Sequence, residues 1–465
     1  MDITQRFAAT VHKHQQGDLT GAQHDYLAIL QELPEHVESH YNLANLYAQL
    51  TQWQSAIAHY RLALRYSPQQ PIIQYNLSIA LLNTDTGFGE AVYLLQQVVV
   101  ALPNHLDARH LLACTLMSAG DYPQAKSQFL VFLSQKKDDA QVYYNLGVLA
   151  LYEQDIKTAQ DYFEKAIKYQ SDFADAYYNL GIIAEYQQDE QGAINYFNQT
   201  LAYDESCFAA HYQLVLHYKN KQDTEQAILH CHQALNLQPD NASLRYLLAV
   251  LTKGGSFDCA PDDYIANLFD SYAAYYDRHL VTDLSYQVPQ QLRQLLDRVV
   301  STENNTTYRI LDLGCGTGLS GHYFRNKANH LVGVDLSARM LAIARGKGIY
   351  DELRQANLLT FLTNQSQVFD IILSADTFVY SGDLQLIIAQ CARLLSDEGL
   401  LVFNVEQGDL GYQLLSSGRF AHSDDYIKAV LEQCQLSVYQ HESAIIRTQQ
   451  NHPIVGLLYI VNKKK

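Results

Sequence analysis

Three glycines two residues apart, Gly314, Gly316 and Gly318, stand in the run Leu311-Asp312-Leu313-Gly314-Cys315-Gly316-Thr317-Gly318-Leu319. Glycine tolerates positive φ and lets a backbone approach a ligand closely. Such a loop is either a generic tight turn or the cradle of a nucleotide-like molecule. A nicotinamide dinucleotide wants G-x-G-x-x-G, whereas the spacing here is G-x-G-x-G. Asp312, just ahead of the glycines, suits a cationic amino group better than a pyrophosphate. Asp376, Tyr380 and His422 are candidates for proton handling, and an imidazole titrates in the useful range. Each also has a bland reading, as a residue that shapes the pocket or touches a cofactor. The run His230-Cys231-His232 suggests a metal, but neighbours one and two apart on a helix point in different directions. No other cluster stands at ligand spacing, so no metal is expected.

Short apolar runs alternate with helical stretches beyond Gly254-Gly255-Ser256, which reads as a linker. That alternation predicts a parallel sheet covered by helices. Strands are expected at 309–313, 331–335, 352–356, 369–374, 400–405, 436–439 and 455–461. Ligands of such sheets bind beyond the carboxyl ends of the central strands. The glycine loop follows the first strand and Asp335 ends the second. Asn357-Leu358 follows the third, and Ala375-Asp376 the fourth.

In this order and spacing the segment resembles class I S-adenosylmethionine-dependent methyltransferases. The resemblance implies that the glycine loop borders the methionine part of the cofactor, with Asp312, Gly314, Cys315, Gly316 and Gly318 matching the family's first motif one for one. It implies that Asp335 binds both ribose hydroxyls, a natural task for a carboxylate, and that Leu336 and Met340 pack near the adenine. Where the family usually has an acid to accept from the adenine amine, this chain has Asn357-Leu358; the asparagine carbonyl can still accept that bond. Similar helices ahead of the sheet in small-molecule methyltransferases carry an aromatic against the cofactor. Tyr272 and Tyr276, four apart, would share one helix face; ordinary core packing is the other reading. The later runs Tyr412-Gln413-Leu414 and Ser417-Gly418-Arg419-Phe420-Ala421-His422-Ser423, then Arg447 and Pro453-Ile454-Val455-Gly456, look like a bacterial group of predicted methyltransferases fused to tetratricopeptide repeats.

The first half carries those repeats. Units beginning at 3, 37, 71, 106, 140, 174 and 208 recur with a period of 34 residues and one insertion in the third. The seventh and eighth positions hold a large and a small residue, as in Leu43-Ala44 and Leu146-Gly147. The twentieth holds Ala22, Ala56, Ala125, Ala159, Ala193 and Ala227, and in most units an aromatic follows four residues later: Tyr26, Tyr60, Phe129, Phe163 and Phe197. Small residues let two helices of a hairpin approach, and the aromatic fills the gap. The pattern resembles the tetratricopeptide repeat over roughly residues 3–241, with 242–253 as a capping helix. The expected architecture is an all-α solenoid over 1–253, seven hairpins and a cap. An α/β Rossmann-like domain follows over 254–465, with a seven-stranded, mostly parallel sheet and a helical cap at 262–300.

Two columns in the repeats, Asn42, Asn76, Asn145 and Asn179 beside Tyr41, Tyr75, Tyr144 and Tyr178, admit two readings. They are packing features, or they line a groove that hydrogen-bonds a peptide, similar to the asparagine ladder of O-linked N-acetylglucosamine transferases. The formal net charge of -17 argues against non-specific nucleic-acid binding. Seven scattered cysteines without a CxxC pair, no apolar signal core and no 18-residue apolar run lead to the expectation of a reduced, cytoplasmic protein that does not enter a membrane. The expected activity is methyl transfer from S-adenosylmethionine to an oxygen or nitrogen nucleophile, on a protein or peptide brought by the repeats. The alternatives are a small-molecule acceptor (a lipid, quinone or natural-product precursor), with repeats serving assembly, and an inactive scaffold. The oligomeric state is not legible.

Overall fold

The computed structural model describes residues 2–84, 87–254, 257–300, 307–449 and 452–464. It divides into two compact units, Met1–Cys207 and Phe208–Lys465. Residues 255 and 256 of the expected linker lie outside the described ones.

Six helix hairpins make up the first unit. They are α1 (Ile3–Gln15) with α2 (Leu19–Glu32), α3 (Val37–Gln49) with α4 (Trp53–Tyr66), and α5 (Pro71–Leu82) with α6 (Phe88–Ala101). Then come α7 (Leu106–Ser118) with α8 (Tyr122–Gln135), α9 (Ala140–Tyr152) with α10 (Ile156–Tyr169), and α11 (Ala174–Tyr186) with α12 (Glu190–Tyr203). Every first helix begins where the 34-residue register places a unit. All six alanines of the twentieth position are fully buried, as are Tyr26, Phe129, Phe163 and Phe197 four residues on. The small eighth position is a steric requirement: a Cβ on Gly147 would stand 2.6 Å from Phe163 Cε1. A feature not noted in the sequence sits at the start of the second helices. Asp18, Asp121, Asp155 and Asp189 cap α2, α8, α10 and α12, each accepting a backbone N–H three residues on. Each such cap contributes about 1 kcal/mol.

The second unit opens with the seventh hairpin, α13 (Phe208–Asn220) and α14 (Thr224–Leu237), and the capping helix α15 (Ala242–Thr252). The repeat pattern ends at 253, yet the compact unit begins at 208. The reason is a shared apolar core: Val215, Cys231, Leu244, Tyr246 and Leu247 pack in one cluster with Tyr264, Val379, Tyr380 and Phe420. Beyond lie α16 (Asp262–Tyr272), a 3-10 turn at Ala273–Tyr275, the short α17 (Tyr276–Arg278), a π-helical turn at His279–Asp283, and α18 (Val288–Val299). The cap expected at 262–300 is therefore several pieces.

The sheet follows. Its strands are β1 (Tyr308–Leu313), β2 (Ala328–Asp335), β3 (Glu352–Gln355), β4 (Phe369–Ser374), β5 (Leu395–Gln407), β6 (Tyr412–Leu414), β7 (Phe420–His422), β8 (Leu436–Gln449) and β9 (His452–Lys463). The helices between them are α19 (Leu319–Phe324), α20 (Ala338–Lys347), α21 (Leu358–Asn364), α22 (Gln385–Leu394) and α23 (Asp424–Gln433). The order β3-β2-β1-β4-β5 is parallel throughout, and β9 runs antiparallel between β5 and β8. All seven expected strands are present, and the short β6–β7 hairpin is additional. Alternation along β1 sends Leu311 and Leu313 into the layer with α22 and α23, and Ile310 into the layer with α18 and α19. Among the described residues no helix is long and apolar enough to cross a membrane.

The Gly147–Phe163 contact yields a prediction. Gly147→Ala forces the ring or the helix to move and lowers the stability of the first unit by about 1–3 kcal/mol. Urea unfolding followed by far-ultraviolet circular dichroism measures it.

Candidate active site

The chain leaves β1 at Leu313 and turns sharply. Gly314, Gly316 and Gly318 all have positive φ (68°, 52° and 92°). A Cβ on Gly314 would fall 2.2 Å from Thr377 Oγ1, while one on Gly316 would meet nothing within 4 Å. The first glycine is thus required by its neighbour, and the second leaves open space beside the loop. The N–H groups of Gly314 and Cys315 donate to the Val334 carbonyl at 2.8 and 3.0 Å. At the end of β2, Asp335 accepts from Gly316 N at 2.8 Å and from Ser337 N at 2.9 Å. Burial pushes its carboxyl above the ordinary range, against these N–H groups, which favour the ionised form.

Loop, strand ends and α16 surround a cavity of about 320 Å³, within the range of small-ligand sites. Of the residues expected to contact a cofactor, Gly314, Gly316, Asp335, Leu336, Met340, Asn357, Leu358, Ala375 and Tyr276 line it. Four do not. Cys315 is buried against β2, where its Sγ faces Gly333. Gly318 caps α19. Tyr272 ends α16, and the chain passes through the 3-10 turn before Tyr276, so the two do not share one continuous helix face. Their rings still meet edge-on, centroids 5.0 Å apart. Asp312 lies fully buried beneath the loop. It accepts from Tyr350 Oη at 2.7 Å, and its other oxygen has no partner among the described residues. Burial pushes its carboxyl up to about 7, with the nearby Asp335 adding to the rise. Asn357 also differs from expectation: its carbonyl caps α21 at Thr360 N, 3.1 Å, and its amide donates to Asp262. One lone pair of that carbonyl is left for a ligand.

The proton-handling candidates separate. Asp376 lines the cavity in a left-handed conformation, φ 58°. Asn404 clamps it twice, accepting from Asp376 N at 2.7 Å and donating to Oδ1 at 3.2 Å. Arg419 pairs with Asp376 Oδ2 at 2.7 Å and Arg447 approaches at 3.5 Å, while Arg447 also holds Glu406. Burial raises the Asp376 carboxyl, but Arg419 and Arg447 outweigh it and leave it below the usual range. Tyr380 lines the cavity with the Arg419 guanidinium 5.5 Å above its ring. His422 is fully buried and is not among the lining residues; its Nε2 faces the carbonyls of Ser381 and Gly382 at 3.0 Å. Burial holds its pKa at about 4.

Sequence reasoning missed the strap that closes one side. Ala260 N donates to the Tyr380 carbonyl, and the Asp258 carbonyl accepts from Gly382 N and Asp383 N. Asp258, Ala260, Ile265 and Phe269 reach the cavity this way, as does Thr377 from the turn after β4. Arg419, Arg447, Glu406 and Asn404 were also missed as site residues; a single sequence has no signal that brings these distant polar groups together. Among the described residues no group of three or more His, Cys, Asp or Glu is placed to hold a metal.

In the repeats the Asn and Tyr columns bond to each other between neighbouring units. Asn76 donates to Tyr41 Oη at 3.0 Å and Asn179 to Tyr144 Oη at 3.4 Å. Asn145 is buried beside Cys114. Asn42, Tyr75 and Tyr178 are half-buried.

The raised Asp312 carboxyl sets a pH dependence. Its folded-state pKa of about 7 lies above the unfolded value, so the native state binds the extra proton and stability falls as pH rises between roughly 4 and 7. Asp312→Asn removes this loss. Without ligand, the variant is expected to gain stability over the parent at pH 7.5 by roughly 1–3 kcal/mol, and to show no gain at pH 4; thermal unfolding at the two pH values measures it.

Residues 311–403 match the family model described as a methyltransferase domain, and residues 14–71 and 144–206 match that of the tetratricopeptide repeat. A protein of Geobacillus sp. (strain WCH70) named as a methyltransferase is 27% identical over 35% of this chain and 67% of its own length. The ubiquinone biosynthesis O-methyltransferase of Chelativorans sp. (strain BNC1) is 35% identical over 20% of this chain and 38% of its own. The malonyl-[acyl-carrier protein] O-methyltransferase of Bacillus anthracis is 29% identical over 29% and 50%. The chain thus spans about two fifths to two thirds of these relatives. Pattern, fold and matches agree that this chain joins tetratricopeptide repeats to a methyltransferase domain.

Proposed function

We propose that the chain is an S-adenosylmethionine-dependent methyltransferase acting on an oxygen or nitrogen nucleophile, with the repeats recruiting a protein or peptide as acceptor or partner. The observation that carries this reading is Asp335, fixed by two backbone N–H groups inside a cavity beside the open Gly316. Those bonds take one lone pair from each oxygen and leave one on each for a vicinal diol. Five aspartates line the cavity (258, 262, 335, 376 and 383) and no Lys, Arg or His does, which suits a ligand bearing a sulfonium and an ammonium.

Bound there, S-adenosylmethionine would supply an electrophilic methyl group whose sulfur keeps the C–S bonding pair on transfer. The chain's own residues align and enclose. Asp335 holds the ribose, Leu336 and Met340 flank the adenine, and Phe269 and Tyr276 cover the cavity. Asp376, ionised at neutral pH, accepts a hydrogen bond from the acceptor's O–H or N–H and so orients its lone pair. Held down by two guanidinium groups, it is a weak base. Rate enhancement therefore rests on alignment and exclusion of water.

A second reading, a small acceptor with repeats used for assembly, is favoured by the strap at Asp258–Ala260 and by α16, which narrow the access. The O-methyltransferase relatives agree with oxygen as the nucleophile. The intact loop and Asp335 speak against an inactive scaffold. In both active readings the protein is taken to be cytoplasmic.

Two measurements test the proposal. Calorimetry with S-adenosylhomocysteine should show at least a tenfold loss of affinity in Asp335→Ala, the worth of a charge-assisted bond to the diol of about 1.5–3 kcal/mol; unchanged affinity refutes the ribose assignment. Radiolabelled methyl transfer into a lysate split into protein and small-molecule fractions should label protein. Label confined to small molecules selects the second reading, and no label in either fraction refutes both.

A further inference from the structure

The seventh repeat and its capping helix belong to the same compact unit as the cavity, and one contact links them to its wall. Tyr246 of α15 is fully buried, and its hydroxyl donates to the Gly418 carbonyl at 3.1 Å. Gly418 sits at the tip of the β6–β7 hairpin with φ 76°, and Tyr264 of α16 closes its other side: a Cβ there would stand 2.7 Å from Tyr264 Oη. The two tyrosine rings pack against each other, centroids 4.9 Å apart. The tip is thus held between the end of the repeat pattern and the helix covering the cavity. The next residue is Arg419, which pairs with Asp376 at 2.7 Å and lies over Tyr380. Both of these line the cavity. The apolar core beneath is continuous, running from Val215 and Cys231 of the repeat hairpin to Val379 and Tyr380.

We propose that the terminal repeat is a working part of the methyl-transfer unit, and that Tyr246 is a positioning residue acting through Gly418 and Arg419 on Asp376 at the acceptor side of the cavity. The inference rests on the function proposed above. Its physical content is that Asp376, in a left-handed conformation that a non-glycine residue adopts at a cost, is held at Oδ1 by Asn404 and at Oδ2 by Arg419 and Arg447, and Arg419, the nearer of the two guanidinium groups, follows the hairpin tip. A partner that loosens or tightens α15 then changes the acceptor wall without touching the cofactor.

Hydrogen–deuterium exchange on the full chain tests this. With S-adenosylhomocysteine at about 100 times its Kd, the slowest amides of α13, α14 and α15 should slow by the same factor as those of β4 and β5, up to roughly 100-fold. Slowing in the strands with none in α13–α15 overturns the proposal. Without ligand, Tyr246→Phe should accelerate exchange at residues 415–420 roughly tenfold, consistent with one lost buried hydrogen bond; unchanged exchange there overturns it equally. Failure of the ligand to bind would count against the proposed function alone, because the ligand-free arm still decides this point. Where lysate labelling is observed, Tyr246→Phe should reduce its rate at saturating cofactor several-fold and leave the cofactor Kd within about twofold. A purely structural role, measured well below the unfolding temperature, would move neither.

Discussion

The cavity depends on one carboxylate that two stretches of backbone share. Asp335 receives the N–H of Gly316 from the loop after β1 and that of Ser337 from the turn into α20. These bonds join the ends of β1 and β2 at the point where the parallel sheet opens toward a ligand. Gly316 donates there from a left-handed conformation that glycine adopts without cost. Gly314 makes the turn possible by leaving room for Thr377, which in turn donates its hydroxyl to the Leu313 carbonyl. Loop, second strand and the turn after β4 are therefore mutually fixed, and the open lone pairs of Asp335 face the cavity because the others are used.

Around this point the chain places its acids in three electrostatic conditions. Asp312 is sealed below the loop and resists ionisation. Asp335 is recessed, with its carboxyl raised by burial yet supported by N–H groups. Asp376 is tied to two guanidinium groups and stays ionised. One residue type thus provides a buried acid bonded to Tyr350, a recessed acceptor of two backbone N–H groups and a fixed anion at the far wall. Burial, N–H donors and ion pairs respectively set these outcomes.

Much of this was legible in the sequence where chemistry and spacing are local. The 34-residue register located the start of every first helix, because the small-residue and aromatic positions are steric demands within one hairpin: Gly147 exists to admit Phe163. The glycine loop and Asp335 were legible because a strand, a turn and an acid follow one another in the chain. What escaped notice is what tertiary contact alone creates. Asn404 and Glu406 of β5, Arg419 of the turn before β7 and Arg447 of β8 meet only in the fold. The break after Tyr272 was hidden by a helical pattern that continues through it. The Asn and Tyr columns were visible, but not that Asn76 and Asn179 already donate to Tyr41 and Tyr144 of the preceding units. That use accounts for part of the columns by packing between repeats.

The repeat pattern and the compact units end in different places, and this shapes the account. Tyr246 lies within the repeat frame by sequence, yet its hydroxyl reaches a hairpin of the methyltransferase domain. The central claim, that Asp335 and the glycine loop form a nucleoside site, is tested most directly by a crystal structure of the full chain with S-adenosylhomocysteine. The account predicts both ribose hydroxyls within hydrogen-bond distance of the Asp335 carboxylate and the adenine between Leu336 and Met340. A nucleoside bound elsewhere, or bound here with its ribose away from Asp335, would contradict it.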